Sequence, residues 1–201
     1  MTPTRDIEPQ AHLLASGERL RGAAAVPVTL WFTGLPGAGK TTLAMYLEAR
    51  LVRAGRPAYV LDGDNLRHGL CRDLGFGDDD RSENIRRTAE VCRLFNDAGV
   101  IALSALVSPL AVQRAMAREI IGPSRFLEIH VATPLEVCEL RDPKGLYRRA
   151  RQGTLKGLTG VDGRYDDPAS PTLRIDTSLC SIDDAMVSIE SLLTAEYGHI
   201  R

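Results

Sequence analysis

The sequence predicts a three-layer α/β fold, with a parallel five-stranded sheet, helices on both faces and a lid segment. Short apolar runs rich in β-branched residues alternate with longer amphipathic segments, an order typical of strands joined by crossover helices. One polar stretch over 142–171, rich in Gly, Arg and Lys, interrupts the alternation. Polar insertions of this length in compact domains are usually lids or binding loops. We therefore expect a single layered domain that carries one lid.

The elements follow from local signals. The run over 28–33 is β-branched and aromatic with little alternation, which predicts a strand buried on both faces. A helix over 40–54 should end at Gly55 and a helix over 82–98 at Gly99, because glycine is the usual residue just past a helix C-terminus. Further strands are predicted over 58–61, 100–107, 126–131 and 173–175, and a further helix over 111–121.

Two more helices are predicted from their first residues. For the helix over 134–141 we expect Thr133 as the N-cap and Pro134 at the first helical position. For the last helix, over 181–196, we expect Ser181 as the cap. We expect residues 1–26 to form an N-terminal extension in which 12–20 can make one short helix, and residues 27–201 to form the single domain, with its lid at about 142–171.

Composition excludes several classes of function. The 201 residues carry 25 basic and 26 acidic side chains, a balance that gives no reason to expect nucleic acid as a partner. No stretch approaches the roughly 20 apolar residues of a membrane span, and the N-terminus lacks a secretory apolar core. The four cysteines form no C-x-x-C pair, so neither zinc nor a redox disulfide is suggested. We expect a cytoplasmic protein without a membrane partner.

The run from Gly34 to Thr41 matches the phosphate-binding pattern G-x-x-x-x-G-K-[ST] at every fixed position. A predicted buried strand precedes it and a predicted helix follows it, which is the context that this pattern requires. A glycine-rich turn with an incidental lysine is the alternative, and the context disfavours it. ATP is therefore the expected co-substrate, with phosphate contacts from Gly34, Gly37, Gly39, Lys40, Thr41 and Thr42.

An acidic pair, Asp62 and Asp64, follows the second predicted strand. Ligands of parallel sheets bind beyond the carboxyl ends of the strands, so the pair should lie beside the phosphate-binding loop. One carboxylate can join the Thr41 hydroxyl in holding Mg²⁺, and the other can accept a proton from an attacking hydroxyl. An Asp-Gly turn that caps a helix is the alternative for either residue alone.

Further motifs resemble those of the adenylylsulfate (APS) kinases, which are P-loop kinases. The run Asp62-Gly63-Asp64-Asn65-Leu66-Arg67-His68-Gly69-Leu70 is similar to the family signature D-G-D-N-x-R-x-G-L. In matching order follow Leu74-Gly75-Phe76, residues 80–87, Val107-Ser108-Pro109, residues 141–147 and Thr159-Gly160-Val161-Asp162. The resemblance covers about residues 28–196. It implies transfer of the ATP γ-phosphoryl group to the 3′-hydroxyl of APS, which gives 3′-phosphoadenylylsulfate and ADP.

The resemblance also implies roles for individual residues. Catalysis is assigned to Lys40, Asp62, Asp64 and Ser108, with Thr41 and Asp62 holding the metal and Asp64 preferred for activating the hydroxyl. The acceptor site is assigned to Asp64, Arg67, Phe76, Arg81, Asn84, Ser108, Lys144 and Leu158, and Arg141 is assigned to the ATP adenine. In this family the serine that corresponds to Ser108 is regarded as a possible phosphoserine intermediate. We interpret Ser108 as a hydrogen-bonding residue, because direct in-line transfer needs no covalent intermediate on the enzyme.

The sequence departs from the family pattern at three places. Pro36 and Ala38 stand where the family commonly has serines, Leu110 stands where an aromatic residue is usual, and Leu158 replaces a phenylalanine that stacks on the acceptor adenine opposite Phe76. The loss of one stacking face predicts weaker APS binding or a different acceptor nucleotide. The alternatives are a related kinase for another nucleotide anhydride or small hydroxyl compound, and a non-catalytic nucleotide-binding regulator. A homodimer is expected by resemblance, and a fused sulfurylase is not expected at this length.

Overall fold

The computed structural model of the protein describes residues 26–197. The predicted helix over 12–20 and the rest of residues 1–25 lie outside this part of the chain, so the domain boundary at 26 stays a prediction. The strands are β1 (Thr29–Thr33), β2 (Ala58–Asp62), β3 (Ile101–Ala105), β4 (Phe126–Val131) and β5 (Leu173–Ile175). The helices are α1 (Lys40–Arg53), α2 (Gly63–Arg67), α3 (Asp78–Asp97), α4 (Ala111–Ile121), α5 (Leu135–Arg141), α6 (Leu146–Arg151) and α7 (Ile182–Tyr197), with a short 3-10 helix over Pro123–Arg125.

The five strands form one parallel sheet in the order β2-β3-β1-β4-β5, which confirms the predicted α/β class. β1 lies at the centre, and all five of its residues are buried. Its apolar run without polar interruption suits a strand that is covered on both faces. The carboxyl ends of β1, β2 and β3 therefore open onto the same edge of the sheet.

The alternating side chains of β1 divide the core into two clusters. Leu30 and Phe32 belong to the cluster that contains Leu43 of α1 and Ile189 of α7. Trp31 points the other way and belongs to the cluster that contains residues of α3 and α4. Because successive side chains of a strand face opposite sides, one strand anchors both helical layers.

Two predicted helix starts were wrong. α3 begins at Asp78 instead of 82, and its first turn carries Asp78, Asp79 and Asp80, whose charges stabilise a helix N-terminus. α5 begins at Leu135 with Pro134 as the N-cap, and Thr133 makes no capping bond. The Thr133 hydroxyl instead donates to the carbonyl of Ala38 in the phosphate-binding loop, at 3.0 Å. At α7 the Ser181 hydroxyl accepts from the backbone N–H of Asp184 at 3.1 Å, as predicted.

Two short helices were not predicted. α2 follows β2 directly, and α6 lies inside the polar stretch 142–171. That stretch is also partly apolar in its packing, since Tyr147 and Leu158 are buried in the same cluster as β1. The lid therefore rests on the core through Tyr147 and Leu158, and four partly buried apolar side chains of the same stretch also pack against this cluster: Leu146, Ala150, Leu155 and Val161. None of the described helices is long and apolar enough to cross a membrane.

Candidate active site

The loop Gly34–Thr41, here called the P-loop, connects β1 to α1 and is wedged against other segments. A Cβ atom at Gly34 would lie 2.4 Å from the backbone oxygen of Val131 in β4, so only glycine fits there. Gly39 adopts φ 105° as the N-cap of α1, a conformation that L side chains rarely adopt. The loop thus passes the end of β4 and enters α1 with the N-terminal N–H groups of that helix free to face an anion.

The side chain of Lys40, the seventh residue of the P-loop, is buried. Its ammonium group donates to the backbone oxygens of Gly34 at 2.9 Å and of Leu35 at 2.8 Å. Burial removes water from this charge and lowers the pKa of Lys40 to about 8, although the carboxylates of Asp62 and Asp64 favour the charged form. A bound phosphate would place negative charge beside this ammonium group, which would favour its charged form and raise the pKa of Lys40.

Asp62 forms hydrogen bonds both to Thr41 at the start of α1 and to the N-terminus of α2. Its Oδ2 atom accepts from the Thr41 hydroxyl at 2.7 Å, and its Oδ1 atom accepts from the backbone N–H groups of Asp64 at 3.0 Å and Asn65 at 3.2 Å. Asp62 is therefore the N-cap of α2 and at the same time the acidic neighbour of the P-loop. Among the described residues no cluster of three or more His, Cys, Asp or Glu side chains is placed to hold a metal. A Mg²⁺ ion here would need phosphate and water oxygens beside Thr41 and Asp62, which is its usual mode of binding.

The carboxylate of Asp64 forms an ion pair with the ammonium group of Lys144, which lies at the start of the lid. Both side chains are more than half exposed, at 55% and 60%. The pair spans the opening between α2 and the lid, so an acceptor hydroxyl that reaches Asp64 must displace Lys144 or share it.

The predicted acceptor residues lie around the start of α3. Arg67 donates to the backbone oxygens of Leu74 and Gly75, and its guanidinium carbon lies 4.4 Å from the centroid of the Phe76 ring. Phe76 is 68% exposed, so a large part of its ring is open to solvent. Asn84 is buried, and its Nδ2 atom has no hydrogen-bond partner among the described residues. A buried donor without a partner is costly, which favours an acceptor supplied by a ligand.

Arg81 ties the acceptor side to the lid. Its guanidinium donates to the Thr159 hydroxyl at 3.2 Å and to the backbone oxygen of Gly157 at 3.1 Å. Between them, Leu158 is only 6% exposed and lines the cavity described below. The backbone N–H groups of Gly157 and Leu158 both bond the carboxylate of Asp162 at 2.8 Å, and the bond from Gly157 is the main reason that the pKa of Asp162 is lowered.

Ser108 lies just beyond β3 with its hydroxyl engaged. Its Oγ atom accepts from the indole N–H of Trp31 at 3.0 Å, and the residue is 2% exposed. Its backbone adopts φ 38°, a rare value for a non-glycine residue, and its carbonyl accepts from the buried guanidinium of Arg114 at 2.9 Å. The contacts hold Ser108 as a fixed part of the wall.

The predicted adenine platform, Arg141, is held by one residue. Its two terminal nitrogens donate to the hydroxyl of Thr177 at 2.7 Å and to the carbonyl of Thr177 at 2.9 Å. Sequence reasoning missed Thr177. It follows β5 by two residues, so the rule that ligands bind beyond strand ends, which selected Asp62, also points to it.

One cavity of about 1160 Å³ brings nearly all of these residues together. Of the predicted site residues it is lined by Gly37, Gly39, Lys40, Thr41, Thr42, Asp62, Asp64, Arg67, Phe76, Arg81, Asn84, Ser108, Arg141, Lys144 and Leu158. Gly34 is buried beneath Lys40 and does not line it. The lid contributes two cations that the sequence did not assign to the site, Arg149 and Lys156.

The family model for adenylylsulphate kinase matches residues 26–176, which is more than half of the chain. The chain belongs to the adenylylsulfate kinase family. A curated adenylyl-sulfate kinase from Marinobacter nauticus is 48% identical over 182 residues, which cover 90% of this chain and 92% of the relative. The activity implied by the sequence motifs is thus the activity of the family.

Solved structures of APS kinases share the fold. The APS kinase of Mycobacterium tuberculosis in complex with AMPPNP and APS is 47% identical with a TM-score of 0.81, covering 84% of this chain and 98% of that chain. A hexameric APS kinase from Thiobacillus denitrificans is 35% identical with a TM-score of 0.67, covering 89% of this chain and 30% of that one.

Proposed function

We propose that this protein transfers the γ-phosphoryl group of ATP to the 3′-hydroxyl of APS. The observation that carries the proposal is the single cavity of about 1160 Å³ that runs from the P-loop to Arg67, Phe76, Arg81 and Asn84. Pockets for one small ligand usually measure about 300–1,000 Å³. A larger cavity with an anion-binding loop at one end and a cationic cluster at the other suits two nucleotides whose reacting groups meet between them.

In this proposal the donor half binds ATP. The P-loop N–H groups and Lys40 hold the β- and γ-phosphates, and Arg141 lies against the adenine. The oxygens of Thr41 and Asp62, 2.7 Å apart, are hard donors of the kind that Mg²⁺ prefers, so these two residues would hold the ion. When bound, Mg²⁺ neutralises part of the charge on the phosphates.

The acceptor half is proposed to bind APS. Arg67 and Arg81 have planar guanidinium groups that suit the phosphosulfate oxygens, and Lys144 adds an exposed positive charge. The Nδ2 atom of Asn84 offers a hydrogen bond to the substrate. The open face of Phe76 gives the adenine a surface on which to stack.

Transfer is proposed to be direct. The O3′ atom of APS forms a bond to the γ-phosphorus while the bond from that phosphorus to the bridging oxygen of ADP breaks, and Asp64 accepts the hydroxyl proton. For this step Lys144 has to move off Asp64 or share the carboxylate with the acceptor hydroxyl, so acceptor binding and access to the base are linked. Ser108 is proposed to shape the wall rather than to accept the phosphoryl group, because its buried hydroxyl is held by the Trp31 N–H and direct in-line transfer needs no covalent intermediate. The lid excludes water that would otherwise compete for the phosphoryl group.

A panel of acceptors tests the proposal. ADP release from ATP is measured with APS and, in parallel, with CMP, UMP, shikimate, gluconate and buffer alone. We expect rapid ADP release with APS only, and a product that is one phosphoryl group heavier than APS by mass spectrometry. Release with another acceptor would overturn the choice of APS. ATP binding without turnover on any acceptor would favour the regulator.

Two further statements belong to this proposal. A homodimer is proposed from family resemblance alone, and sedimentation equilibrium at micromolar concentration tests it. A cytoplasmic location is proposed because the reaction consumes ATP, and fractionation of cells that express the tagged protein tests it.

A further inference from the structure

We infer that Thr177 positions the donor nucleotide by joining the P-loop to Arg141. The inference rests on the proposed donor half, in which the P-loop binds the phosphates and Arg141 the adenine. One hydroxyl would then fix the distance and orientation between the two ends of the ATP site. Thr177 is a positioning residue, since it is proposed to act through its neighbours and not by touching the reacting atoms.

The contacts of the Thr177 hydroxyl converge from three segments. It donates to the backbone oxygen of Ala38 in the P-loop at 2.9 Å, lies 2.8 Å from the hydroxyl of Thr133 and accepts from Nη1 of Arg141 at 2.7 Å. A hydroxyl has one proton and two lone pairs. Thr133 also donates to Ala38, so the two threonine hydroxyls have two protons for their contacts with Ala38 and with each other. In every arrangement of these protons the Thr177 oxygen can accept from Arg141, and the pair of hydroxyls connects it to the P-loop.

Arg141 depends on this anchor for its orientation. Its side chain forms no ion pair with any described carboxylate, and both terminal nitrogens end on Thr177, at Oγ1 and at the backbone oxygen. Two parallel donors to one residue fix the plane of a guanidinium as well as its position. A planar cation offers an aromatic base a useful surface only when its face is turned toward the base.

The methyl group of Thr177 supports the P-loop from the same side. A Cβ atom at Gly39 would lie 3.4 Å from Cγ2 of Thr177, so the loop glycine packs against this methyl group. Serine keeps the hydroxyl and loses only the methyl contact, whereas valine keeps the shape and loses every hydrogen bond of the hydroxyl. The two substitutions separate positioning by hydrogen bonds from simple packing.

The test is the affinity for AMPPNP, measured by calorimetry without any acceptor. Thr177→Val should weaken binding about tenfold, as expected when a hydrogen bond to a charged partner is lost at a binding site. Thr177→Ser should stay within about threefold of the native protein on the same reasoning. Ser178→Ala is the matched control: its hydroxyl bonds only Asp176, two residues before it, and its removal should not change the affinity.

A double-substitution cycle tests the route of the effect. If Thr177 acts through Arg141, Arg141→Ala combined with Thr177→Val should weaken AMPPNP binding by less than the product of the two single effects. In steady-state assays Thr177→Val should raise KM for ATP and leave KM for APS within about twofold, whereas general loss of structure would affect both. If Thr177→Val does not fold, Thr177→Ala with its thermal midpoint takes its place.

Two results would overturn the inference: AMPPNP affinity in Thr177→Val equal to that of the native protein, or fully multiplicative effects of the two substitutions. Failure of the proposed function would look different. If the native protein does not phosphorylate APS but Thr177→Val still weakens AMPPNP binding, the acceptor assignment is wrong and the role of Thr177 stands.

Discussion

The Thr41 hydroxyl donates to Oδ2 of Asp62 at 2.7 Å, while Oδ1 of the same carboxylate caps α2. One acidic side chain therefore orders the helix that carries Asp64 and also stands against the P-loop. The two contacts use different oxygens, so substitution separates them.

Asp62→Asn should keep the cap and lose the charge. We expect the free energy of unfolding to change by less than about 1 kcal/mol, because asparagine caps helices as well as aspartate does. Turnover at saturating ATP and APS should fall by a factor on the order of 10² to 10³, typical of losing one group that stabilises transition-state charge. Urea unfolding and an ADP-release assay measure the two quantities. Turnover within threefold of native would exclude Asp62 from catalysis.

The lowered pKa of Lys40 predicts that nucleotide binding depends on pH. Its pKa is lowered to about 8 in the free protein, so the side chain is mostly charged at pH 7 and mostly neutral at pH 9.5. Phosphate favours the charged form, so ADP binding should weaken as pH rises, by up to about tenfold per unit above pH 8, with uptake of a proton. Calorimetry in two buffers measures the ADP affinity and the proton uptake. A chelator removes divalent metal ions, whose charge would otherwise contribute to ADP binding. Lys40→Arg should not take up a proton, and Lys40→Ala should abolish turnover. Equal affinities at pH 7.5 and 9.5 would contradict the assignment.

Because Arg81 lies on the acceptor side and contacts the lid, we expect its substitution to affect both acceptor binding and the order of the lid. Arg81→Lys removes the forked contact to Thr159 and Gly157. We expect KM for APS to rise at least about tenfold, consistent with the loss of a charge-assisted pair, while KM for ATP stays within twofold. Amide exchange over 157–163 should accelerate. Arg86→Lys, at an exposed ion pair on the same helix, is the control and should change neither. A native exchange rate in Arg81→Lys would show that the contact does not hold the lid.

We expect a substitution at Leu158 to change the affinity for the acceptor, APS. Leu158→Phe places an aromatic ring in the cavity wall where the family pattern has one. Stacking on a base is worth about 1–3 kcal/mol, so KM for APS should fall by up to about tenfold after some loss to crowding of this buried position. Leu94→Phe makes the same change on an exposed face of α3 and should have no effect. An unchanged KM for APS, in a variant that unfolds at the native temperature, would remove Leu158 from the acceptor site.

Substitution of Ser108 distinguishes a mechanism with a covalent phosphoserine from direct phosphoryl transfer. Ser108→Ala leaves the buried N–H of Trp31 without its acceptor, which should lower stability by about 1–3 kcal/mol. Turnover should stay within about tenfold of native, because no bond to Ser108 forms in direct transfer. Chemical denaturation and initial rates test these expectations. Complete loss of turnover in the folded variant, together with a mass gain of one phosphoryl group on native protein incubated with ATP, would establish a phosphoserine.

Much of the framework was predictable because its signals are local. β1 is an uninterrupted apolar run, and the P-loop pattern follows it directly, so the central strand and the first turn of α1 fell where predicted. The rule of strand ends also placed Asp62 beside Thr41 from sequence alone. Predictions of this kind depend on a few neighbouring residues.

The remaining features depend on contacts between distant parts of the chain. Thr133 has the residue type and the position of an N-cap, yet its hydroxyl bonds Ala38, which lies 95 positions away. The engagement of Arg81 with Thr159 and of Lys144 with Asp64 spans a similar separation. Nothing in the local pattern of the lid indicates which of its side chains turn inward.

The wedged P-loop bears on the kinetics of nucleotide exchange. Gly34 abuts the backbone oxygen of Val131, and Gly37 lies against that of Cys138, so contacts with neighbouring segments of the protein shape the loop. A loop that is already in its binding conformation loses little conformational entropy when ATP arrives and needs no rearrangement when ADP departs. The speed of each catalytic cycle would then be governed by the opening of the lid.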